Sequence, residues 1–477
     1  MTAKRGQGMD TIAPSTRHDA TARGRFGRHR ARWGILGLGT AVLLAVAGCT
    51  AGTADAASGT SSAFAQASTT IPVAGSAAAC VPDAKKVATA KNTQSTKPVS
   101  AALAAQYDAA LSAVFAKVKK SAPSVIVGVR GPKGTWTHAY GVADLATKTP
   151  TTTDMYQRIG SITKTFVATA VLQLAEQKKL SLDDPIDNYV TGVPNGTHIT
   201  LRELVTMTSG LANYSADPQW NSDQLSDPTA PWTPQQLLAV AYGESTAFPP
   251  GTAMQYSNTN YILLGLVIER VTGKSLPEVI KGQILKPLKM KSTAFPLDAA
   301  FPSPHPNGYT HALNEILGSS PSNAWGDATN WNPSWGWAAG AMTSNITDLF
   351  TWGRALATGQ GVLPVSAQVQ RLDSFGSSNL GADEYYSDGL MCKNGWIGHG
   401  GNIMGYNSML RYNPAIDSTI VVEATGDSAT ATPPRLVVDD ELASALAKVA
   451  GHDYPAAIIP PAGQKQAAEA PDPDTEG

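Results

Sequence analysis

The stretch Arg158-Ile-Gly-Ser-Ile-Thr-Lys-Thr-Phe-Val-Ala-Thr-Ala-Val-Leu-Gln-Leu174 decides the fold of this chain, and Ser161 and Lys164 stand near its start. Apolar residues recur in it at steps of three and four, which predicts a helix. They are Ile162, Phe166, Val167, Ala170, Val171 and Leu174. Because Ala168 and Leu172 add apolar groups on other sides, we expect this helix to be buried almost all round.

Ser161 and Lys164 have the chemistry of a nucleophile and its base. A Ser at the start of a helix lies among unpaired backbone N–H groups, at the positive end of the helix dipole. A Lys three residues later is on the same side of the helix, and burial would ease the loss of its proton. A nucleophilic serine can use such a base. The alternative is a helix cap followed by a solvated Lys, since Ser-x-x-Lys is common by chance.

Two further segments carry groups suited to the same chemistry. Tyr256-Ser-Asn258 directly precedes a predicted helix, and a Tyr hydroxyl there can shuttle a proton. The alternative is an ordinary helix N-terminus, capped by Asn258 and packed by Tyr256. In His399-Gly-Gly-Asn402 the small residues let the backbone approach a ligand and present N–H groups to it. The alternative there is a glycine-rich turn with a surface His.

Taken in this order, Ser-x-x-Lys, Tyr-x-Asn and His-x-Gly resemble the motifs of the penicillin-recognising serine hydrolases, a serine β-lactamase-related family. Within it, the chain is most similar to the D-alanyl-D-alanine carboxypeptidase and class C β-lactamase branch. The resemblance covers about residues 100–450 and extends to Leu180-Ser-Leu-Asp-Asp-Pro and Ile199-Thr-Leu-Arg-Glu-Leu-Val-Thr-Met-Thr-Ser-Gly-Leu.

The resemblance implies a role for each motif residue. Ser161 would be acylated, Lys164 would take or steer its proton, and Tyr256 would protonate the leaving group and later activate water. Which of Lys164 and Tyr256 is the first base stays open. Further roles implied by the resemblance are substrate-amide binding by Asn258, support of the Tyr256 network by His399, and an oxyanion hole from the backbone N–H groups of Ser161 and Asn402.

The third motif departs from the family where the substrate is recognised. Class C β-lactamases have Lys-Thr-Gly, and the carboxypeptidase has His-Thr-Gly with an upstream Arg that helps to hold a terminal carboxylate. Here Gly400 and Gly401 follow the His, and Lys393 is the only basic residue between Asp383 and His399. A Lys offers a point charge where an Arg offers a fork. Trp335 lies in a segment similar to one that lines the family's pocket, and we expect it near the acyl side chain.

The order of elements predicts an α+β fold. A helical pattern over 101–120 precedes a hairpin over 125–140, a mostly helical stretch over 180–335, strands over 406–424 and a helix over 436–449. We therefore expect an antiparallel sheet flanked by N- and C-terminal helices, with a mostly helical second lobe inserted, which is β-lactamase/transpeptidase-like. The seam between sheet and insert is the expected cleft.

The chain divides into four predicted regions. Residues 1–49 have a basic region, an apolar run and Val46-Ala-Gly-Cys49, which resembles a bacterial lipobox. We expect a secreted protein, lipid-anchored through Cys49 to the outer face of the bacterial cell membrane; ordinary signal cleavage after Ala47 is the alternative. Residues 50–98 predict a flexible linker, 99–452 the hydrolase domain and 453–477 a disordered tail. Whether Cys80 and Cys392 pair is left open.

Charge and composition argue against some classes of function. The net charge of −1 with 15% charged residues gives no support to nucleic-acid binding. No Cys/His spacing suggests zinc, and we expect neither metal nor cofactor. The leading hypothesis is an extracytoplasmic serine hydrolase that forms an acyl-enzyme at Ser161, D-alanyl-D-alanine carboxypeptidase-like, with peptidoglycan stem peptides or β-lactams as its small-molecule partners. Alternatives are an esterase, D-amino-acid amidase or β-lactamase on the same scaffold, and a catalytically silent cell-wall binding lipoprotein.

Overall fold

The computed structural model describes residues 71–72, 80–311, 324–377, 384–427, 435–456 and 458–459. These residues form one large antiparallel sheet of eight strands, in the order β2-β1-β8-β7-β6-β5-β4-β3. Its strands are β1 Ser124–Gly131, β2 Gly134–Gly141, β3 Gly376–Ser377, β4 Glu384–Tyr386, β5 Met391–Lys393, β6 Trp396–Ile403, β7 Tyr406–Asn413 and β8 Ser418–Thr425. Four two-stranded pairs of two residues each accompany it.

Both ends of the chain complete this sheet, as predicted. β1 and β2 form the expected hairpin, and β1 then pairs with β8, so that Val127 lies opposite Val422. The strands β6, β7 and β8 follow one another as a meander. The central strands β7 and β8 are buried along their whole length, and β8 carries the apolar, β-branched run Ile420-Val-Val422 at its centre.

Helices surround the sheet. They are α1 Ala84–Ala88, α2 Ala101–Val118, α3 Thr163–Glu176, α4 Leu201–Val205, α5 Pro218–Ser226, α6 Pro234–Gly243, α7 Asn258–Thr272, α8 Leu276–Ile280, α9 Trp337–Gly340, α10 Ile346–Thr358, α11 Val365–Asp373 and α12 Val438–Ala450. α2 and α12 share one apolar cluster with the sheet, and the Ser100 hydroxyl caps α2 by accepting from Leu103 N at 3.3 Å. The predicted flanking helices are confirmed.

The inserted residues between β2 and β3 are mostly helical, as expected. Their core is α3, in which all but three residues are buried. Phe166 of α3 stacks on Trp352 of α10, with ring centroids 4.2 Å apart. α7 packs beside α3, so two helices that are buried along most of their length stand together at the centre of the insert. This packing fixes α3, and with it the start of α3, against the sheet.

The folded domain extends further at both ends than predicted. Residues 80–98 fell within the predicted flexible linker, but Cys80 is buried and joined by a disulfide to Cys392 of β5. α1 packs its buried Val87 into the main core. The domain also passes residue 452, because Tyr454 is buried and donates to Asp440 Oδ1 at 2.9 Å. The sequence did not show these contacts because they depend on tertiary packing. Cys80 and Cys392 are 312 positions apart, and Tyr454 contacts Asp440 of the preceding helix.

The predicted signal and lipobox over 1–49 lie outside the described residues, as do most of the predicted linker and tail. Among the helices that the structure describes, none combines the length and the apolar composition required to cross a lipid bilayer. The same residues hold no group of three or more His, Cys, Asp or Glu side chains arranged to bind a metal ion.

Candidate active site

Ser161 lies in a single 3-10 turn, Gly160–Ile162, that leads directly into α3. Lys164 follows in the first turn of α3, and its Nζ is 2.9 Å from Ser161 Oγ. The same Nζ donates to the carbonyl oxygen of Ala339, in α9, at 2.7 Å. Lys164 is completely buried. The solvated-Lys alternative is therefore excluded by the structure.

Burial changes the protonation of this amine. Desolvation lowers the pKa of Lys164 well below its ordinary value, because the ammonium loses its hydration inside the protein. A neutral Nζ has two N–H groups and one lone pair. With one N–H donated to Ala339, the lone pair can accept the proton of the Ser161 hydroxyl. The pair is thus built as a nucleophile and a general base.

Tyr256 shares this site. Lys164 Nζ lies 4.9 Å from the centre of the Tyr256 ring. Burial raises the pKa of the Tyr256 hydroxyl, and a hydrogen bond with Ser161 opposes that rise. Burial thus shifts the two pKa values in opposite directions: it makes the Lys164 ammonium easier to deprotonate and the Tyr256 hydroxyl harder to deprotonate. This favours Lys164 over Tyr256 as the first base.

His399 forms the wall behind Tyr256. It is completely buried, and its ring centre lies 6.2 Å from that of Tyr256. Its Nδ1 contacts the Gly400 carbonyl, and its Nε2 is 3.4 Å from the hydroxyl of Tyr386. Desolvation, followed by the nearby Lys164 charge, lowers the pKa of His399 well below its ordinary value. A neutral ring with Nδ1–H donating to Gly400 leaves Nε2 to accept from Tyr386.

Two glycines bring β6 against the nucleophile turn. Gly160 has a φ of +50°, and a Cβ there would lie 2.7 Å from Asn402 N. A Cβ on Gly401 would lie 2.0 Å from the Ile159 carbonyl oxygen and 3.3 Å from Ser161 N. Only glycine permits so close an approach. The backbone N–H groups of Ser161 and Asn402 are thereby neighbours, which is the requirement for an oxyanion hole.

A cavity of about 330 Å³ opens over Ser161. Every predicted site residue except the buried Lys164 lines it: Ser161, Tyr256, Asn258, Trp335, His399, Gly400, Gly401 and Asn402. The sequence thus located residues that meet in one cavity although they are up to 241 positions apart, from 161 to 402. It missed other residues that line the cavity: Asn213, Tyr214, Ser215, Met391, Asn407 and Asp439.

Asn213 and Ser215 hold Asn258 in place. Asn258 Nδ2 donates to Ser215 Oγ at 2.8 Å, and Asn258 N donates to Asn213 Oδ1 at 3.0 Å. Ser215 Oγ also donates to Asn213 Oδ1 at 3.0 Å. The predicted substrate-binding amide is therefore fixed by a network on the neighbouring loop. The Asn-x-Ser spacing in Asn213-Tyr-Ser215 carries no motif that would have shown this.

The structure places Trp335 at the cavity, as predicted, and Lys393 away from it. Trp335 lines the cavity, and its carbonyl oxygen accepts from the Tyr214 hydroxyl at 2.6 Å. The Nζ of Lys393, considered as a substitute for the missing Arg, lies 5.6 Å from the centre of the Tyr454 ring. Lys393 does not line the cavity that the structure describes. It does not take the place of a carboxylate-binding Arg.

The site agrees with comparisons to known proteins. A family model described as Beta-lactamase matches residues 101–443. Penicillin-binding protein 4* of Bacillus subtilis (strain 168) is 30% identical over 160 residues, which is 33% of this chain and 34% of that protein. Protein flp of Staphylococcus aureus (strain MW2) is 29% identical over 302 residues, 61% of this chain and 56% of that protein. This chain thus spans between a third and just over half of these two curated relatives.

Among solved structures, a D-stereospecific amidohydrolase from Streptomyces sp. is 33% identical. That match has a TM-score of 0.61 and covers 67% of this chain and 94% of the other. The family match and this structural match together show that the chain belongs to the beta-lactamase family and has its fold, as the sequence motifs predicted.

Proposed function

We propose that this protein is a serine amidohydrolase that forms an acyl-enzyme at Ser161 and cleaves amide or ester bonds of D-amino-acid derivatives. The observation that carries the proposal is the buried Lys164 amine, 2.9 Å from the hydroxyl of Ser161, which lines the cavity. A catalytically silent binding protein has no use for a desolvated base beside a serine, since burying it lowers stability.

The reaction follows from the positions of these groups. The neutral Lys164 amine takes the Ser161 proton as Oγ attacks the carbonyl carbon of the substrate. The backbone N–H groups of Ser161 and Asn402 stabilise the tetrahedral oxyanion. Tyr256 donates its proton to the leaving nitrogen or oxygen and recovers one from the Lys164 ammonium nearby. The C–N or C–O bond breaks, and the same groups then activate water to release the acid.

The cavity favours an uncharged or cationic leaving side over a carboxylate. None of its described lining residues is Lys or Arg, and one of them is Asp439. Position 400 lacks the Thr hydroxyl found in the carboxypeptidase's motif. A terminal carboxylate placed there would lose its hydration without gaining a counter-charge. The similar D-stereospecific amidohydrolase supports amide substrates of D configuration.

A D-alanyl-D-alanine carboxypeptidase acting on stem peptides is the second candidate. It is supported by the similarity to penicillin-binding protein 4* over 160 residues, and by family membership. The two candidates share the acylation step and differ in the group beyond the scissile bond. They are separated by comparing turnover of D-alanine amide with that of an N-acylated D-Ala-D-Ala peptide.

The test of acyl-enzyme formation uses a fluorescent penicillin, a D-amino-acid amide and a short acyl ester. We expect the wild type to be labelled and to hydrolyse the amide, whereas Ser161→Ala does neither. The mass of the intact protein after mixing should increase by the acyl group only when Ser161 is present. Equal labelling or equal turnover by Ser161→Ala would refute the proposal.

We further propose that the protein is exported and lipid-anchored through Cys49. The lipobox-like Val46-Ala-Gly-Cys49 supports this, and so does the Cys80–Cys392 disulfide, since disulfides persist in oxidising compartments. In a bacterial expression host, Cys49→Ala should shift the protein from the membrane fraction to the medium or periplasm. A cytosolic wild-type protein would contradict the proposal.

A further inference from the structure

Asp439 is the only acidic side chain among the described residues that line the catalytic cavity. It stands in the first turn of α12, whose N-cap residue Val437 also lines the cavity. The reaction derived above uses neither residue. Asp439 lies 278 positions after Ser161 in the chain. Its helix, α12, packs with α2 against the sheet in an apolar cluster separate from the one that contains α3.

Asp439 lines the same cavity as the third motif, His399 to Asn402. Arg411 of β7 is opposite Gly398 of β6, two residues before Gly400, and the Arg411 charge acts on Asp439. A Cβ added at Gly400 would meet only Ser408 O, at 3.9 Å. The carboxylate and the open space at Gly400, where a carboxylate-binding hydroxyl is missing, therefore belong to one cavity.

Backbone N–H groups of Asp439 and Asp440 hydrogen-bond the Asp439 carboxylate, but no cationic side chain is paired with it among the described residues. Arg411, the nearby cation, is already paired with Glu384 at 3.2 Å. Burial, followed by repulsion from Asp440, raises the pKa of Asp439 to about 7. A bound cation would reverse both effects, because it replaces lost hydration and opposes the repulsion.

Building on the proposed function, we propose that Asp439 selects substrates that carry an ammonium group, by pairing with that group when the substrate occupies the cavity. The ligand class is thus a primary amine attached to the scissile amide or ester, as in a D-amino-acid amide with a free amino group. A substrate carboxylate at the same place is rejected by like charge.

The test compares pairs of substrates in which one member carries an ammonium group and the other a neutral group at the same place. On the acyl side, D-phenylalaninamide is compared with N-acetyl-D-phenylalaninamide. On the leaving side, the 2-aminoethyl amide of N-acetyl-D-alanine is compared with its 2-hydroxyethyl amide. All are measured at pH 7.5, where an α-amino group of ordinary pKa, about 7.7 to 8.0, is mostly charged. The variants are Asp439→Asn and the control Glu441→Gln, which removes a charge from the same helix turn but does not line the cavity.

We expect the wild type to prefer the cationic member of at least one pair by about 10- to 100-fold in kcat/KM, as for one charge-assisted hydrogen bond. Asp439→Asn should abolish that preference, while Glu441→Gln should keep both the preference and the turnover of the neutral member. The inference is overturned by the absence of a preference in both pairs, or by a preference that survives in Asp439→Asn.

Binding to the Ser161→Ala protein separates this inference from the proposed function. Calorimetric titration of Ser161→Ala with the four compounds needs no turnover, so it tests Asp439 even if the wild type hydrolyses none of them. Tighter binding of an amine than of its neutral partner, lost in Ser161→Ala/Asp439→Asn, supports the inference alone. Equal binding overturns it. If Asp439→Asn fails to fold, Asp439→Ser, which also removes the charge, takes its place.

Discussion

Substitution of Gly401 by Ala tests the oxyanion hole through the backbone alone. The new Cβ would lie 2.0 Å from the Ile159 carbonyl oxygen, whereas close carbon–oxygen contacts begin at roughly 3.3 Å. β6 and the nucleophile turn must therefore separate by roughly 1.3 Å, the difference between those two distances. Oxyanion donors act at roughly 2.7 to 3.1 Å from the oxygen, so a shift of this size removes one donor.

The loss of one oxyanion donor lowers kcat by about 10²- to 10³-fold. We expect Gly401→Ala to lose activity by that factor. Overpacking should also lower the free energy of unfolding by about 1 to 3 kcal/mol and so lower the Tm. Gly400→Ala is the matched comparison, because a Cβ one residue earlier meets only Ser408 O at 3.9 Å. Its effect should be confined to substrate contact and stay below about tenfold.

The assay combines steady-state hydrolysis of an acyl ester with the acylation rate followed by intact mass. Circular dichroism and thermal melting determine the folded fraction, so that activity is expressed per folded molecule. If folded Gly401→Ala turned over substrate within threefold of the wild-type rate, the close approach of Gly401 to Ile159 would not be required for the oxyanion hole. The same conclusion would follow if Gly400→Ala were as damaging as Gly401→Ala.

Three further predictions concern the base, the disulfide and position 400. The folded state lowers the pKa of Lys164, so the unfolded state binds the extra proton, and wild-type stability rises with pH from that lowered pKa to about 10.4. Lys164→Met should therefore be inactive but melt at a higher temperature, with a difference that is largest at low pH and shrinks toward pH 10; a difference independent of pH in thermal melts would contradict this. Replacing Cys80 and Cys392 by Ser should destabilise the domain by about 2 to 5 kcal/mol in urea unfolding, and an unchanged midpoint would show that residues 80–98 contribute little. Gly400→Thr has room for its side chain and should raise kcat/KM for a D-Ala-D-Ala peptide several-fold, more so with Asp439→Asn; no gain in either background would mean that the missing hydroxyl does not set the preference.

The sequence pointed to residues that meet in one cavity because each of them belongs to a local pattern. Ser161 and Lys164 share one helix start, and Tyr256 precedes another helix, so periodicity places each group on a definite element. The glycines around His399 signalled a close backbone approach, and the structure supplies it through Gly401 and Ile159. These features depend on contacts within a few residues, which a sequence displays directly.

Residues whose role depends on distant packing were not predictable. Asn213 and Ser215 hold Asn258 from a loop 43 to 45 positions away, and no local pattern distinguishes them from other polar loop residues. The Cys80–Cys392 pairing spans 312 positions, and the linker composition around Cys80 argued against a folded partner. The helical pattern of α12 was visible, but which of its acidic residues faces the cavity depends on how the helix crosses the sheet.

The topology separates acylation from substrate choice. The proposed nucleophile and base, Ser161 and Lys164, lie at the start of α3, a helix that is buried along most of its length and where substitution is costly. Gly400 and Asp439, in contrast, lie on a strand and on the closing helix, at positions that are only partly buried. Substitutions there leave the Ser161–Lys164 pair in place while changing the charge that meets the substrate. A change of specificity between a carboxylate and an ammonium group therefore requires no change in the acylation machinery, and on this scaffold it is expected to depend on residues from the last third of the chain.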